Sequence, residues 1–172
     1  ERAGFVKLMS GFGGCNAALR LTQEPLPPEP AAAAPAVTCR RTVRLDSDGT
    51  VQVGEVTQRY AEQGSALLTA IYRREVNDYP KFFKMDPLCR LGFVASELLL
   101  RDEPDRFRPR EDRAVVLFSR CGSLCNDLRY LRTVQWPDAY FPSPAVFVYT
   151  LANIVTGEIA IRNHFYGETS CF

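Results

Sequence analysis

A proline-rich stretch near the start of the chain divides the sequence into two unequal parts. Residues 23–37, QEPLPPEPAAAAPAV, hold five of the twelve prolines and a run of four alanines. Proline fixes φ and lacks a backbone N–H, so this composition favours an extended linker. A short helix over Ala31–Ala34 is the alternative, which the flanking prolines make marginal. The sequence therefore predicts a glycine-rich segment at 1–22, a linker at 23–37 and a main body at 38–172.

Composition is that of an ordinary folded protein. The chain has 172 residues, of which 46% are hydrophobic and 24% charged, and its net charge is +1. This charge gives no electrostatic reason to expect nucleic acid or an anionic membrane as a partner. No apolar stretch reaches the roughly 18 residues that a membrane-spanning helix needs. The start lacks a signal-peptide pattern and the six cysteines are scattered, so we expect a cytoplasmic protein.

The pattern within the body predicts mixed α/β structure. The turn signal Asp46–Gly49 lies between two alternating segments, 42–45 and 50–53, which predicts a hairpin. The short apolar run Ala114–Ser119 predicts a strand buried on both faces, as in a parallel sheet. Because helices alternate with strands, we expect a mainly parallel sheet with covering helices. Helical spacing is found over residues 62–73, 86–101, 124–133 and 147–163.

Three segments of the body resemble β-ketoacyl synthases (ketosynthases), in the order that the family has them. Residues 84–91, KMDPLCRL, begin a helix with Asp86 as N-cap and Pro87 at the first helical position. They are similar to the Lys/Arg-Met-Asp-x-x-x-Arg helix near the start of ketosynthases. Residues 113–119 resemble the strand with the Val-Gly-Val-x-x-Gly-Ser run, although the residues that follow depart from it. Residues 143–172 resemble the run that leads into the reactive cysteine.

This resemblance implies the N-terminal half of a thiolase-like α/β fold, with a mainly parallel sheet. The segment from Tyr79 to Asp86 looks like the divergent synthase-like branch found in aryl-polyene clusters. In the family pattern the reactive cysteine is due a few residues after Phe172, and condensation needs two imidazoles. This chain has one histidine, His164. We therefore assign no catalytic residue, and the resemblance implies neither a metal nor a cofactor.

The glycine-rich segment carries a second resemblance, out of family order. Residues 10–19, SGFGGCNAAL, are similar to the Phe-Gly-Phe-Gly-Gly-Thr-Asn-Ala run at the end of ketosynthases. We interpret the chain as a junction of two tandem synthase-like units; a rearranged remnant that packs on its own half is the alternative. The resemblance implies that Phe12 gates an acyl pocket and that Gly13 and Gly14 form the loop beside it. The other residues implied to line or support the pocket are Phe147, Val148, Leu151 and Asn153.

The cysteines do not predict a reactive or metal site. Cys171 lies four residues after Gly167, too early for the family nucleophile, which favours a buried strand cysteine. Cys121 and Cys125 form C-x3-C, but no second pair or suitable histidine lies nearby in the sequence to complete a zinc site. A packed or free cysteine pair is the better interpretation. The glycine segment also lacks the Lys-Ser/Thr of a phosphate-binding loop.

Three functions remain open on the sequence. The first, which we favour, is a ketosynthase-like protein of fatty-acid, polyketide or aryl-polyene biosynthesis that lacks condensing activity. It would be a partner subunit for acyl carrier protein or a catalytic ketosynthase. The second is a fragment of an active acyltransferase whose nucleophilic cysteine lies beyond residue 172, and the third is an orphan α/β interaction protein. A half-domain would expose an edge strand and an apolar face, so we expect a homodimer or heterodimer.

Overall fold

The structure is a computed structural model that describes residues 4–10, 16–22, 37–136 and 140–172. The chain forms two compact units, Glu1–Thr38 and Cys39–Phe172.

The first unit contains an antiparallel pair of strands. Strand β1 (Gly4–Ser10) pairs with β2 (Asn16–Thr22), and Ser10 lies opposite Asn16 in the register. The segment that joins the strands, together with most of the proline-rich stretch, lies outside the described residues. The predicted gate Phe12 and the loop residues Gly13 and Gly14 belong to that joining segment.

The second unit contains the α/β body. Its two small sheets are accompanied by five α-helices and a short 3-10 helix in the described part of the unit. The elements in chain order are β3 (Val43–Leu45), β4 (Thr50–Val53), β5 (Val56–Arg59), α1 (Gly64–Glu75), the 3-10 helix (Pro80–Lys84), α2 (Pro87–Leu100), β6 (Val115–Leu117), α3 (Leu124–Val134), α4 (Pro144–Val148), α5 (Ile154–Asn163) and β7 (Thr169–Cys171).

The hairpin predicted around Asp46–Gly49 is confirmed. Strands β3 and β4 are antiparallel, and Leu45 lies opposite Val51. The Asp48 carboxylate accepts a hydrogen bond from the backbone N–H of Thr50 at 2.9 Å, which fixes the turn. Gly49 has φ +92°, and a Cβ there would lie 2.6 Å from the Tyr60 carbonyl oxygen. Only glycine fits this position without a shift of the backbone.

The prediction of a mainly parallel sheet is wrong for the described part of the chain. Strands β3, β4 and β5 form an antiparallel sheet, as do β1 and β2, and only β6 and β7 are parallel. The cause is connection length: short connections, of four residues between β3 and β4 and two between β4 and β5, join antiparallel neighbours, whereas a parallel pair needs a long crossover. The mixed α/β class itself is confirmed. Strand β6 is also shorter than expected. Because Val116 is 50% exposed, β6 is not buried on both faces.

The core lies where α1, the 3-10 helix and α2 meet. The Tyr72 ring stacks on Phe82 with 4.1 Å between centroids and an interplanar angle of 2°. Phe93 of α2 is fully buried beside them and lies 6.1 Å from Phe82. The N-cap predicted for α2 is confirmed, since the Asp86 carboxylate accepts from the backbone N–H of Cys89 at 2.9 Å. These contacts join three successive helices into one packed layer.

The helix predicted over residues 147–163 is two helices. Helix α4 ends at Val148 and α5 begins at Ile154. Between them the backbone N–H of Thr150 donates to the Phe147 carbonyl at 3.0 Å, and the Thr150 hydroxyl donates to the same oxygen at 2.7 Å. This tighter pattern, with a hydroxyl competing for the backbone acceptor, interrupts the α-helical hydrogen bonds.

Candidate functional site

The residues predicted to line an acyl pocket lie at the end of α4 and in the turn after it. Phe147 and Val148 are the last residues of α4, Leu151 lies in the turn, and Asn153 is the N-cap residue of α5. All four are exposed, with Phe147 and Leu151 each 51% accessible. In this conformation the three apolar side chains, Phe147, Val148 and Leu151, face solvent.

Helix α3 packs beside α4 through a polar inner face. The Ser123 hydroxyl donates to the Thr150 carbonyl, and the buried Asn126 side chain donates to the Tyr149 carbonyl at 3.1 Å. The Tyr130 ring lies 5.3 Å from the Phe147 ring. These bonds hold α3 with its polar residues toward the turn between α4 and α5.

The outer face of α3 carries an apolar stripe, because the polar residues of its other face bond the turn between α4 and α5. Leu124, Leu128 and Leu131 follow one another at spacings of four and three residues and are each about half exposed. The sequence predicts a helix over 124–133. Leucines at this spacing ordinarily belong to the buried core, so their exposure is a finding of the structure. We call the α3–α4 surface the six apolar side chains of Leu124, Leu128, Leu131, Phe147, Val148 and Leu151.

A buried ion network joins α2, the loop after it and α5. The Glu97 carboxylate is 5% exposed and accepts from the guanidinium of Arg106 and, at 3.2 Å, from that of Arg162. Arg106 also donates to the Asn163 side chain at 2.6 Å, and Arg162 donates to Asp78 at 2.7 Å. Two guanidinium groups on one buried carboxylate leave no uncompensated negative charge there.

Aromatic rings enclose the same network. The Arg162 guanidinium lies 5.2 Å from the Tyr79 ring centre and 5.0 Å from that of Phe107. Burial disfavours the charged guanidinium, yet the hydrogen bonds to Asp78 and Glu97 raise the pKa of Arg162 above its ordinary value. This network is suited to holding α2, the loop after it and α5 together, because its polar groups hydrogen-bond to one another.

A second buried carboxylate, that of Glu158, lies on α5. Glu158 pairs with the Lys81 ammonium at 2.5 Å and accepts from the Tyr79 hydroxyl at 3.5 Å. The hydrogen bond to Glu158 raises the pKa of Lys81. The fully buried Cys89 belongs to the same region, and burial, with the nearby Glu158 and Asp86 charges, raises the pKa of its thiol to about 12. Such a thiol stays protonated at neutral pH and is a poor nucleophile.

An apolar groove lies between α2, β3 and β6. Its volume is about 530 Å³. Two arginines, Arg41 and Arg113, also line it, but each is ion-paired, with Asp102 and Glu103 respectively. The groove was missed by sequence analysis because its walls come from distant parts of the chain. Its apolar wall includes Val43, Gly92, Ala95, Leu99, Ile159 and Phe165.

Three further thiols and the histidine lie outside these clusters. Cys121 and Cys125 are exposed free thiols, and Cys171 is partly buried at the end of β7. His164 ends α5 with φ +54°, and its Nδ1 lies 2.6 Å from the Phe107 carbonyl oxygen. Over the described ranges, no group of three or more His, Cys, Asp or Glu residues is arranged to hold a metal ion. In the same ranges, no helix has the length and apolarity to cross a membrane.

Comparison with known proteins adds no relative. No protein-family model matches the chain, and no curated protein matches it.

Proposed function

We propose that this chain is a ketosynthase-like protein that binds acyl carrier protein or a catalytic ketosynthase and does not itself catalyse condensation. The observation that carries the proposal is that the three segments similar to ketosynthases pack together. Helix α2 packs on α5, α5 packs on β6, and β6 pairs in parallel with β7. A thiolase-like arrangement of the full protein is part of this proposal.

The thiols support a non-catalytic role. The Cys89 thiol, with its pKa of about 12, is protonated at neutral pH. The one histidine in the sequence, His164, bonds a backbone carbonyl at the end of α5. Decarboxylative condensation would need an activated thiolate and two imidazoles, which one copy of this chain does not supply.

The α3–α4 surface supports a role in binding. An exposed apolar patch on a folded protein commonly marks a binding site for another molecule. Phe147, Val148 and Leu151, which the resemblance assigned to acyl binding, form half of this surface. A partner that covers them would remove these side chains from water. This burial favours binding by a free energy of about 25 cal/mol for each Å² of apolar area.

The test uses acyl carrier protein charged with malonyl or acyl thioester. Intact-protein mass spectrometry would detect an acyl adduct on the chain, and light scattering on the same sample would detect a complex. We expect a complex without an adduct, and a weaker complex for Val148→Asp. The matched control is Val56→Asp, because Val56 is also an exposed valine, 61% accessible against 46% for Val148, but lies on β5.

Each other result has a definite meaning. An adduct on a cysteine would overturn the non-catalytic proposal and support the fragment of a condensing enzyme. Neither an adduct nor a complex with carrier protein or ketosynthase would leave the orphan interaction protein as the better explanation.

A further inference from the structure

The outer face of α3 has the pattern of a coiled-coil seam. Leu124, Leu128 and Leu131 occupy positions that correspond to d, a and d of a heptad. The buried Asn126 then falls at position f, the position farthest from a partner helix, and it faces the body of its own chain. The helix therefore presents its leucine seam to solvent, while its opposite side is hydrogen-bonded to the rest of the chain.

Charged residues flank the seam on both sides. Asp127 precedes Leu128 and corresponds to position g, while Arg132 follows Leu131 and corresponds to position e. Both side chains are exposed. In a parallel pair of helices, a g residue on one helix faces the e residue five positions later on the other. Asp127 and Arg132 have that spacing and opposite charge.

We propose that α3 pairs in parallel with α3 of a second copy of this chain. Leu124, Leu128 and Leu131 form the seam, and Asp127 of each copy faces Arg132 of the other. A two-fold axis along the helix pair makes both ion pairs at once, since the same helix supplies both charges. An antiparallel pair would instead place like charges opposite each other, which disfavours it.

The seam is short. Helix α3 has 11 residues and is therefore about 16 Å long at 1.5 Å per residue. Tyr130, which contacts Phe147, corresponds to position c, so α4 lies on the side of α3 that faces the body and not on the seam. Stable interfaces bury about 800 Å² on each partner, which is more than a helix pair of this length buries, so we expect a weak dimer.

The experiment measures dimerisation of the whole chain alone by sedimentation velocity over a concentration series. We expect a dimer whose dissociation constant rises about tenfold for Asp127→Arg and for Arg132→Asp, since each change turns two attractions into repulsions. The double variant, Asp127→Arg with Arg132→Asp, restores the dimer because the opposite charges face each other again. Arg129→Asp is the matched control, since position 129 is exposed but corresponds to b, away from the seam.

The outcomes separate this proposal from its alternatives. Leu128→Asp should abolish the dimer, and circular dichroism should show that all variants remain folded. A monomer at every concentration would overturn the proposal, as would a dimer indifferent to Leu128→Asp. Failure of the double variant to recover would exclude the parallel arrangement. Carrier protein is absent from this assay, so its result does not depend on the proposed acyl function.

Discussion

Gly92 of α2 lies directly against Val155 of α5. A Cβ atom built on Gly92 would stand 2.4 Å from Cγ1 of Val155, far inside van der Waals contact. Val155 is itself buried at 3% exposure. The absence of a side chain at position 92 therefore sets how closely the two helices approach.

Gly92→Ala should destabilise the protein despite the better helix propensity of alanine. Overpacking at a buried contact costs about 1–3 kcal/mol, whereas the propensity gain is about 1 kcal/mol at most. The measurement is urea unfolding followed by circular dichroism. Adding Val155→Ala should recover part of the loss, because the new methyl group would then occupy the space vacated by the valine.

Gly157 provides the matched control on the partner helix. It lies within α5, and a Cβ at this position would have no atom within 4 Å in the described structure. Gly157→Ala should therefore stabilise the protein by about 0.5–1 kcal/mol through helix propensity alone. Equal effects of the two substitutions would contradict the close approach at Gly92.

Glu97→Gln should cost much more than removal of a surface ion pair. The change leaves two largely buried guanidinium groups, those of Arg106 and Arg162 (11% and 13% exposed), without their shared carboxylate. Loss of one partner from a buried pair typically costs about 3–5 kcal/mol. The free energy of unfolding in urea measures the effect.

An exposed pair supplies the comparison for Glu97. Asp46 bonds Arg44 at 2.9 Å, but the Arg44 side chain is 72% exposed. Asp46→Asn should therefore change the free energy of unfolding by less than about 1 kcal/mol. A similar loss for Glu97→Gln would show that the network contributes no more than a surface contact.

Cys89 should make the protein less stable as the pH rises from 9.0 to about 12. Burial raises the pKa of its thiol from 9.0 to about 12 in the folded state. Between these values the unfolded chain releases the thiol proton and the folded chain keeps it, so increasing pH favours unfolding. The contribution is fully present below pH 9.0 and is lost as the pH rises toward 12.

The measurement is the urea midpoint as a function of alkaline pH. Cys89→Ala should flatten the decline, although Lys81, whose pKa is also raised, keeps a contribution of the same sign above its ordinary value of 10.5. The control is Cys39→Ala, since Cys39 is exposed. An unchanged slope for Cys89→Ala would contradict a buried, protonated thiol.

Local signals in the sequence predicted several elements well. The turn at Asp46–Gly49, the N-cap Asp86 and the helix over 124–133 all depend on residues within a few positions of one another. The resemblance also predicts that Phe147 and its neighbours line or support an acyl pocket, but it does not predict that they are exposed. The functional assignment of those residues stays a prediction.

Which face of a helix is buried could not be read from periodicity. Helical spacing over residues 86–101 places Leu91 and Leu99 on one stripe with Leu98, yet they are 41% and 38% exposed. Cys89 and Phe93 are instead fully buried. Helix α2 packs against both α1 and α5, so two neighbours rather than one select its inner side. In α3 the leucine stripe faces outward, because Asn126 and Ser123 bond the turn between α4 and α5.

The sequence by itself determined where turns, caps and most helices lie, because those choices depend on backbone preferences and hydrogen bonds between near neighbours. Only the tertiary structure decided how the strands pair, that Glu97 forms ion pairs with Arg106 and Arg162, and that Val155 packs directly against Gly92. These relationships connect residues from separate segments, and their energies arise only when the segments meet. The exposed seam of α3 belongs to the second group, since its orientation is set by the partners on its opposite face.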